Sequence, residues 1–209
     1  MTYTVQDRFY LKAKKEHYLA RAVYKLEEIQ KKHRILRTGD RVLDLGAAPG
    51  SWIQLTSGVV GRSGLVVGID LKQIEHAFGN RVITIQGDIF DLEFVETAVR
   101  DYRPFDVVLS DMAPATSGIR VADSARSALL FQRAFEIAHW ALRPGGTFLA
   151  KMFHGPEFHQ LLTEVKKEFS RTRAIRPEAT RKQSREIYIL GIKLRCLQND
   201  TADRGSEAK

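Results

Sequence analysis

Cysteine is almost absent from this 209-residue chain, with Cys196 its single example. One thiol makes no internal disulfide, and without clustered His or Cys partners it makes no zinc site. A disulfide-stapled or zinc-built fold is thereby excluded, no metal is expected, and a reducing, cytoplasmic setting is. Long apolar runs are missing too. Nothing approaches the roughly 18 apolar residues that would span a bilayer, and Met1 to Lys15 has no apolar h-region behind its charges. The sequence also lacks an internal repeat and any linker long enough to split domains. What remains is 44% apolar and 28% charged, the composition of a soluble globular protein and far from the regime of disorder. At about 150 residues per domain this is one domain, assigned to residues 1–196 with a basic N-terminal arm and helix (1–37), followed by a disordered tail at 197–209.

Acidic residues are scarce at both ends. Residues 1–41 hold eleven Lys and Arg against five Asp and Glu, and residues 166–195 hold ten against three, whereas residues 42–165 hold ten against fourteen. The whole carries +8. Basic flanks around an acidic centre suit a polyanion lying across surfaces built from the two ends, with a less positive pocket between them. Solvated Lys and Arg faces would give the same pattern.

Residues 1–16 are polar and without period. From Tyr18 to Ile35 apolar positions at Leu19, Ala22, Val23, Leu26 and Ile29 have the spacing of an amphipathic helix. Strand-like runs follow at Arg41 to Leu45, Gly64 to Leu71, Arg81 to Gln86, Phe105 to Ser110, Gly146 to Phe153, Thr172 to Arg176 and Glu186 to Leu194. Helical patterns lie at Ser51 to Val60, Asp91 to Asp101, Ser124 to Leu142 and Pro156 to Phe169. Alternating apolar strands and helices predict an α/β fold, a mainly parallel sheet covered on both faces. The last two strands have no helix between them, so a hairpin at Arg176 to Ser184 and an antiparallel last strand are predicted.

The run Val42-Leu-Asp-Leu-Gly-Ala-Ala-Pro-Gly50 leads from the first strand through a glycine turn into a helix, where such sheets bind ligands. A dinucleotide fingerprint would read G-x-G-x-x-G. Here Ala48 replaces the middle glycine and Pro49 removes a backbone donor, which disfavours a pyrophosphate and with it a nicotinamide-dependent oxidoreductase. Asp70 ends the second strand, placed to accept from ribose hydroxyls, and Asp88 follows the third, placed for an adenine amino group. A glycine turn with one acid after each of three strands suits an adenosine ligand without phosphates. Ordinary helix caps would supply the same acids. Charged groups also stand at strand ends in Asp111, Lys151 and Glu186, and on the N-terminal helix in Lys25. Lys151 lies in the apolar run Thr147-Phe-Leu-Ala-Lys-Met-Phe153, where an unpaired ammonium is costly and a desolvated lysine can serve as a base.

Read together, D-L-G-A-A-P-G-S-W, G-I-D-L, G-D-I, S-D-M-A-P and L-A-K-M-F resemble the FtsJ/RrmJ-type ribosomal RNA 2′-O-methyltransferases over nearly the whole chain, Ala20 to Leu194. The resemblance implies a Rossmann-like methyltransferase fold with a seven-stranded sheet and S-adenosylmethionine as donor. It implies donor binding at Gly50, Trp52, Asp70, Asp88 and Asp111, and a Lys-Asp-Lys-Glu tetrad at Lys25, Asp111, Lys151 and Glu186. A ribose hydroxyl is a poor nucleophile at neutral pH, so it needs a base or a cation beside the forming alkoxide. Lys151 is expected to accept or orient that proton, with Lys25 and Glu186 setting the field around it. The implied partner is RNA, a uridine of 23S rRNA in the 50S subunit, acted on by a monomer. A tRNA or mRNA-cap ribose methyltransferase, or a non-catalytic RNA-binding protein of the same fold, remain as alternatives.

For the phosphates, Arg21, Lys31, Lys32, Arg34 and Arg37 are available near the N-terminal helix, and Arg173, Arg176, Arg181, Lys182 and Arg185 around the hairpin. Arg8, Lys12, Lys14 and Lys15 would form a flexible arm. Phe9, Tyr10, Tyr18 and Tyr24 are placed to stack on unpaired bases, with Tyr24 equally suited to the core. Thr116 to Val121 reads as a lid over the substrate.

Overall fold

The computed structural model describes residues 8–181 and 183–196. Lys182 and the tail at 197–209 lie outside them. Strands β1 (Arg41–Leu45), β2 (Leu65–Asp70), β3 (Val82–Gln86), β4 (Phe105–Ser110), β5 (Leu142–Phe153), β6 (Phe169–Ile175) and β7 (Glu186–Leu194) form one seven-stranded sheet in the order β3-β2-β1-β4-β5-β7-β6. The first five run parallel, and β7 inserts antiparallel between β5 and β6. Helices α1 (Arg8–Lys15), α2 (Val23–His33), α3 (Ser51–Val60), α4 (Leu92–Val99), α5 (Arg120–Ala141) and α6 (Phe158–Glu168) surround it. No helix among the described residues is long and apolar enough to cross a membrane.

Strand alternation divides the core. Val42, Val66, Val107, Leu109, Leu149 and Leu190 face α2 and α3, where Leu26, Ile29, Trp52 and Ile53 meet them. Leu43, Val67, Val108, Phe148 and Ile189 face the other way, onto α4, α5 and α6. Both faces are buried, as a parallel sheet requires, and apolar burial at about 25 cal/mol per Å² makes these two layers the main source of stability. The same period of two sends Asp44, Asp111, Lys151, Glu186 and Tyr188 towards α2.

Two elements depart from the sequence reading. Residues 8–15, expected to be irregular and mobile, form α1, so Arg8, Lys12, Lys14 and Lys15 sit on a helix. Its single buried residue, Ala13, packs with Val23 and Tyr24, and the Lys12 ammonium lies 4.2 Å from the Tyr24 ring centroid. The helix closes where the Tyr18 amide returns to the Ala13 carbonyl at 2.9 Å over His17 in left-handed backbone, so the Tyr18 to Ile35 pattern is helical only from Val23. Tyr24 is a core residue, with its hydroxyl donating to Glu16 at 2.8 Å. The expected lid, Thr116 to Val121, runs into the first turn of α5, and Asp123 fastens it by accepting from the Ser117 amide and hydroxyl, both at 2.9 Å, and from the Gly118 amide at 3.2 Å.

Candidate active site

At the carboxyl ends of β1 to β4 a cleft of about 380 Å³ opens, and Asp70, Asp88 and Asp111 all line it. The turn after β1 forms its floor. The Gly46 and Ala47 amides both donate to the Ile69 carbonyl, and the Ala48 amide donates to Asp70 Oδ2 at 2.9 Å. Asp70 Oδ1 accepts the Lys72 amide at 2.8 Å, and Asp88 Oδ1 the Phe90 amide at 2.9 Å. An ionised carboxylate offers about four lone-pair sites, so both acids retain acceptor capacity for a ligand. Gly46 is required twice over: its φ is +77°, and a Cβ there would come within 2.2 Å of Met112 Cγ. Met112, Ile89, Phe90 and Leu130 supply apolar walls.

Gly50 and Trp52 stand apart from that cleft, at the start of α3. Gly50 is the N-cap with φ +106°, and no side chain caps the first amides of the helix. The Trp52 indole is buried, donates from Nε1 to the Ala22 carbonyl at 2.9 Å and stacks on Tyr188 with 6.0 Å between ring centroids. The Trp52 ring faces the core, so any part this residue plays at the cleft is through its backbone or the placement of α3.

The four charged residues singled out in the sequence meet at the edge of this cleft. Lys151 Nζ donates to Asp111 Oδ1 at 2.9 Å and to the Asp111 carbonyl at 2.6 Å. Lys25 Nζ lies 2.7 Å from Glu186 Oε2 and 3.9 Å from Asp111 Oδ1. Both ammonium groups are buried, at 6% and 5% exposure for Lys25 and Lys151. Burial alone would push the Asp111 carboxyl up; the ammonium groups of Lys151 and Lys25 and the hydrogen bonds from Tyr188 and Lys151 outweigh it and hold the carboxyl below its ordinary value. Two buried cations are thus balanced by two carboxylates within one hydrogen-bonded cluster.

Two members of this site were not singled out in the sequence. Tyr188 donates to Asp111 Oδ1 at 2.5 Å, and burial, then the Asp111 charge, push its phenol well above the ordinary value. Its signal was present: in a strand, Glu186 and Tyr188 must share a face. Asp44 lies in β1 beneath the turn, fully enclosed, with Oδ2 lacking any partner among the described residues. Burial, followed by the charges of Asp111 and Asp70, pushes its carboxyl up to about 8. Nothing in its apolar run marks it off from an ordinary strand residue.

The proposed phosphate cations divide by location. Arg21 and Arg181 line a small pocket beside Lys25 and Glu186, and Arg185 reaches the Arg120 carbonyl at 3.4 Å. Lys31 and Lys32 pair along α2 with Glu27 and Glu28 at 3.1 and 2.7 Å. Arg34 and Arg37 lie at the opposite end of the sheet.

A ribosomal RNA large subunit methyltransferase E of Syntrophobacter fumaroxidans is 62% identical over 195 residues, covering 93% of this chain and 99% of that one. The protein of the same name from Bdellovibrio bacteriovorus is 44% identical over 195 residues, 92% of this chain and 98% of its own. Among solved structures, a ribosomal RNA methyltransferase of Plasmodium falciparum superposes with a TM-score of 0.72 at 28% identity, covering 85% of this chain and 98% of its own. The family model described as FtsJ-like methyltransferase matches residues 18–194, and the chain is a methyltransferase of that family.

Proposed function

We propose that the protein transfers a methyl group from S-adenosylmethionine to a ribose 2′-hydroxyl of large-subunit ribosomal RNA, a uridine of 23S rRNA within the 50S subunit. The observation that carries this reading is the pair of buried lysines held around Asp111 at the edge of the cleft, a cationic cluster suited to an alkoxide forming on a neutral hydroxyl. The names of the relatives support the RNA class.

The cleft residues fit the donor. Asp70 has acceptor sites left for a ribose diol, Asp88 for an exocyclic amine, and the uncapped amides at Gly50 and Trp52 suit a carboxylate at a helix N-terminus. Ala48 and Pro49 in the turn are a poor cradle for a pyrophosphate, which this donor does not have. When bound, it supplies an electrophilic methyl on a sulfonium. The rest is the work of the chain. Lys151 has three donors, of which two go to Asp111, leaving one directed to a ribose oxygen. It orients the 2′-hydroxyl and stabilises the negative charge forming on the oxygen as it attacks the methyl, while the hydroxyl proton passes to water. Asp111, shared by both lysines and Tyr188, fixes Lys151 in place, and Glu186 fixes Lys25.

The test mixes protein and tritiated S-adenosylmethionine with naked rRNA, tRNA or 50S subunits lacking ribose methylation, and maps the labelled nucleotide. Label at a 2′-oxygen of the 50S subunit is expected. Label on tRNA alone, or donor binding with no transfer to any RNA, would overturn the assignment.

A further inference from the structure

A second cleft, of about 340 Å³, opens at the opposite pole of the sheet, where β1, β4 and β5 begin and β7 ends. Arg34, Arg37, Arg143, Arg171 and Lys193 line it, against two acids, Asp40 and Asp106. Both acids are committed to the framework. Asp106 takes Arg143 Nε at 2.5 Å and the Arg41 amide at 2.7 Å, and Asp40 takes the Arg37 amide at 2.7 Å. Arg34, Arg171 and Lys193 have no ion pair among the described residues. The cleft is therefore cationic, with unspent donors at its mouth.

Its backbone is unusual as well. Three non-glycine residues among those described have positive φ, and two of them, Arg34 at 50° and Lys193 at 61°, line this cleft. At Arg34 the left-handed backbone closes α2, its amide donating to the Gln30 carbonyl at 2.8 Å, whereas Lys193 ends no helix, so the cost of left-handed backbone for a residue with a Cβ is met there only beside the cleft. A guard against edge-to-edge aggregation would explain Arg171 and Arg173 on the edge strand β6. It does not explain Arg34 at the end of α2, or Lys193 in β7, which is flanked by strands on both sides.

Basic residues lie between this cleft and the candidate active site. On β6, Arg171 and Arg173 share a face, and Arg173 is near enough to His33 to join burial in lowering its imidazole. Arg176 follows and donates to the Ser184 carbonyl at 2.6 Å, beside the pocket that Arg181 and Lys25 line. Along β5, Thr147 in the far cleft and Lys151 in the catalytic cluster are four residues apart, about 13 Å at the rise of a strand.

We propose that this far cleft is a second phosphate site for the RNA, so that the polyanion contacts both poles of the sheet along the β6 edge. The proposal rests on the reading of the protein as an RNA methyltransferase. It is tested with the triple variant Arg34→Asn, Arg171→Ala, Lys193→Asn in the full chain, asparagine being chosen because it tolerates left-handed backbone. Binding to a large-subunit rRNA transcript is titrated from about 50 to 200 mM salt. Loss of three phosphate contacts should flatten the slope of log K against log salt by about 2 to 3 and weaken binding at least about tenfold, with S-adenosylhomocysteine affinity unchanged. An unchanged slope and affinity would overturn the proposal. So would an equal loss in the charge-retaining variant Arg34→Lys, Arg171→Lys, Lys193→Arg, which would assign the effect to structure. Inorganic pyrophosphate separates the sources: a variant that loses pyrophosphate binding but keeps the RNA slope would make the cleft a site for a free phosphate compound and refute the RNA contact. Failure of the methyltransferase reading shows separately, as absence of label from wild-type protein whose RNA binding still depends on the cleft.

Discussion

Lys151 and Tyr188 stand directly opposite each other across the antiparallel β5–β7 pair, and both donate to the same oxygen, Asp111 Oδ1, at 2.9 and 2.5 Å. The cross-strand pair thus brings a cation and a phenol to one carboxylate just past the end of β4, a strand two places from β7 in the sheet. This arrangement separates their contributions. Lys151→Ala removes the group proposed to meet the ribose, so single-turnover transfer should fall by at least about 10²-fold while donor affinity stays within a few-fold. Normal turnover would sink the assignment. Tyr188→Phe removes only a hydrogen bond to a charged group, so it should cost about 1.5–3 kcal/mol of stability in urea denaturation, with a much smaller loss of transfer.

The four charged residues were named through the family resemblance, and strict strand alternation accounts for their meeting in the fold. Leu109 and Asp111, Leu149 and Lys151, and Glu186, Tyr188 and Leu190 each share a face once the strands are recognised, and Lys25 belongs to the helix that covers that face. The hairpin and the antiparallel last strand followed from the missing helix before Glu186. Helix α1 was not legible, since its apolar face is no more than Phe9 and Ala13 within a short basic segment, and its order comes from their contacts with Tyr24. Local pattern cannot register a tertiary partner. Trp52 illustrates a subtler limit: family motif and core packing select the same residue type, and only the structure places its ring against Tyr188.

Asp44 gives the protein a pH-dependent liability. Its carboxyl is pushed up to about 8 in the folded chain, mainly by burial, against an ordinary value of 3.8. A raised carboxyl favours the fold fully only below the unfolded value. As pH rises from about 4 to 8 the unfolded chain ionises first, and the folded state loses relative stability throughout that window. Asp44→Asn mimics the protonated form. It should therefore leave the melting temperature nearly unchanged at pH 4, raise it progressively above that, and reach a constant gain beyond about pH 8. A gain independent of pH would show that Asp44 does not titrate in this range.

Asp123 behaves in the opposite sense. Chiefly the Ser117 amide, aided by Arg126 and the Ser117 hydroxyl, holds its carboxyl down at about 2. The stability it contributes is present above the unfolded value and is lost as pH falls towards 2. Asp123→Ala should release the segment 111–119 that borders the cleft, seen as faster amide exchange at Ser117 and Gly118 and a higher KM for RNA at little change in donor affinity. Unaltered exchange would show that the loop is held by other contacts.

Gly46 offers the sharpest test of the donor cleft, because two penalties there can be separated. Alanine at this position meets both the cost of φ +77° and a Cβ only 2.2 Å from Met112 Cγ. The left-handed conformation costs about 1–2 kcal/mol for a residue with a Cβ, and the collision adds a displacement of Met112 into the space that Asp70 and Asp111 border. Gly46→Ala should weaken S-adenosylhomocysteine binding by at least about tenfold, as read by calorimetry. Adding Met112→Ala removes the collision but leaves the backbone cost. The double variant should therefore regain part of the lost affinity and none of the lost backbone stability. Full recovery of both would mean that the turn can adopt another path, and no recovery of either that Met112 is not what the glycine accommodates.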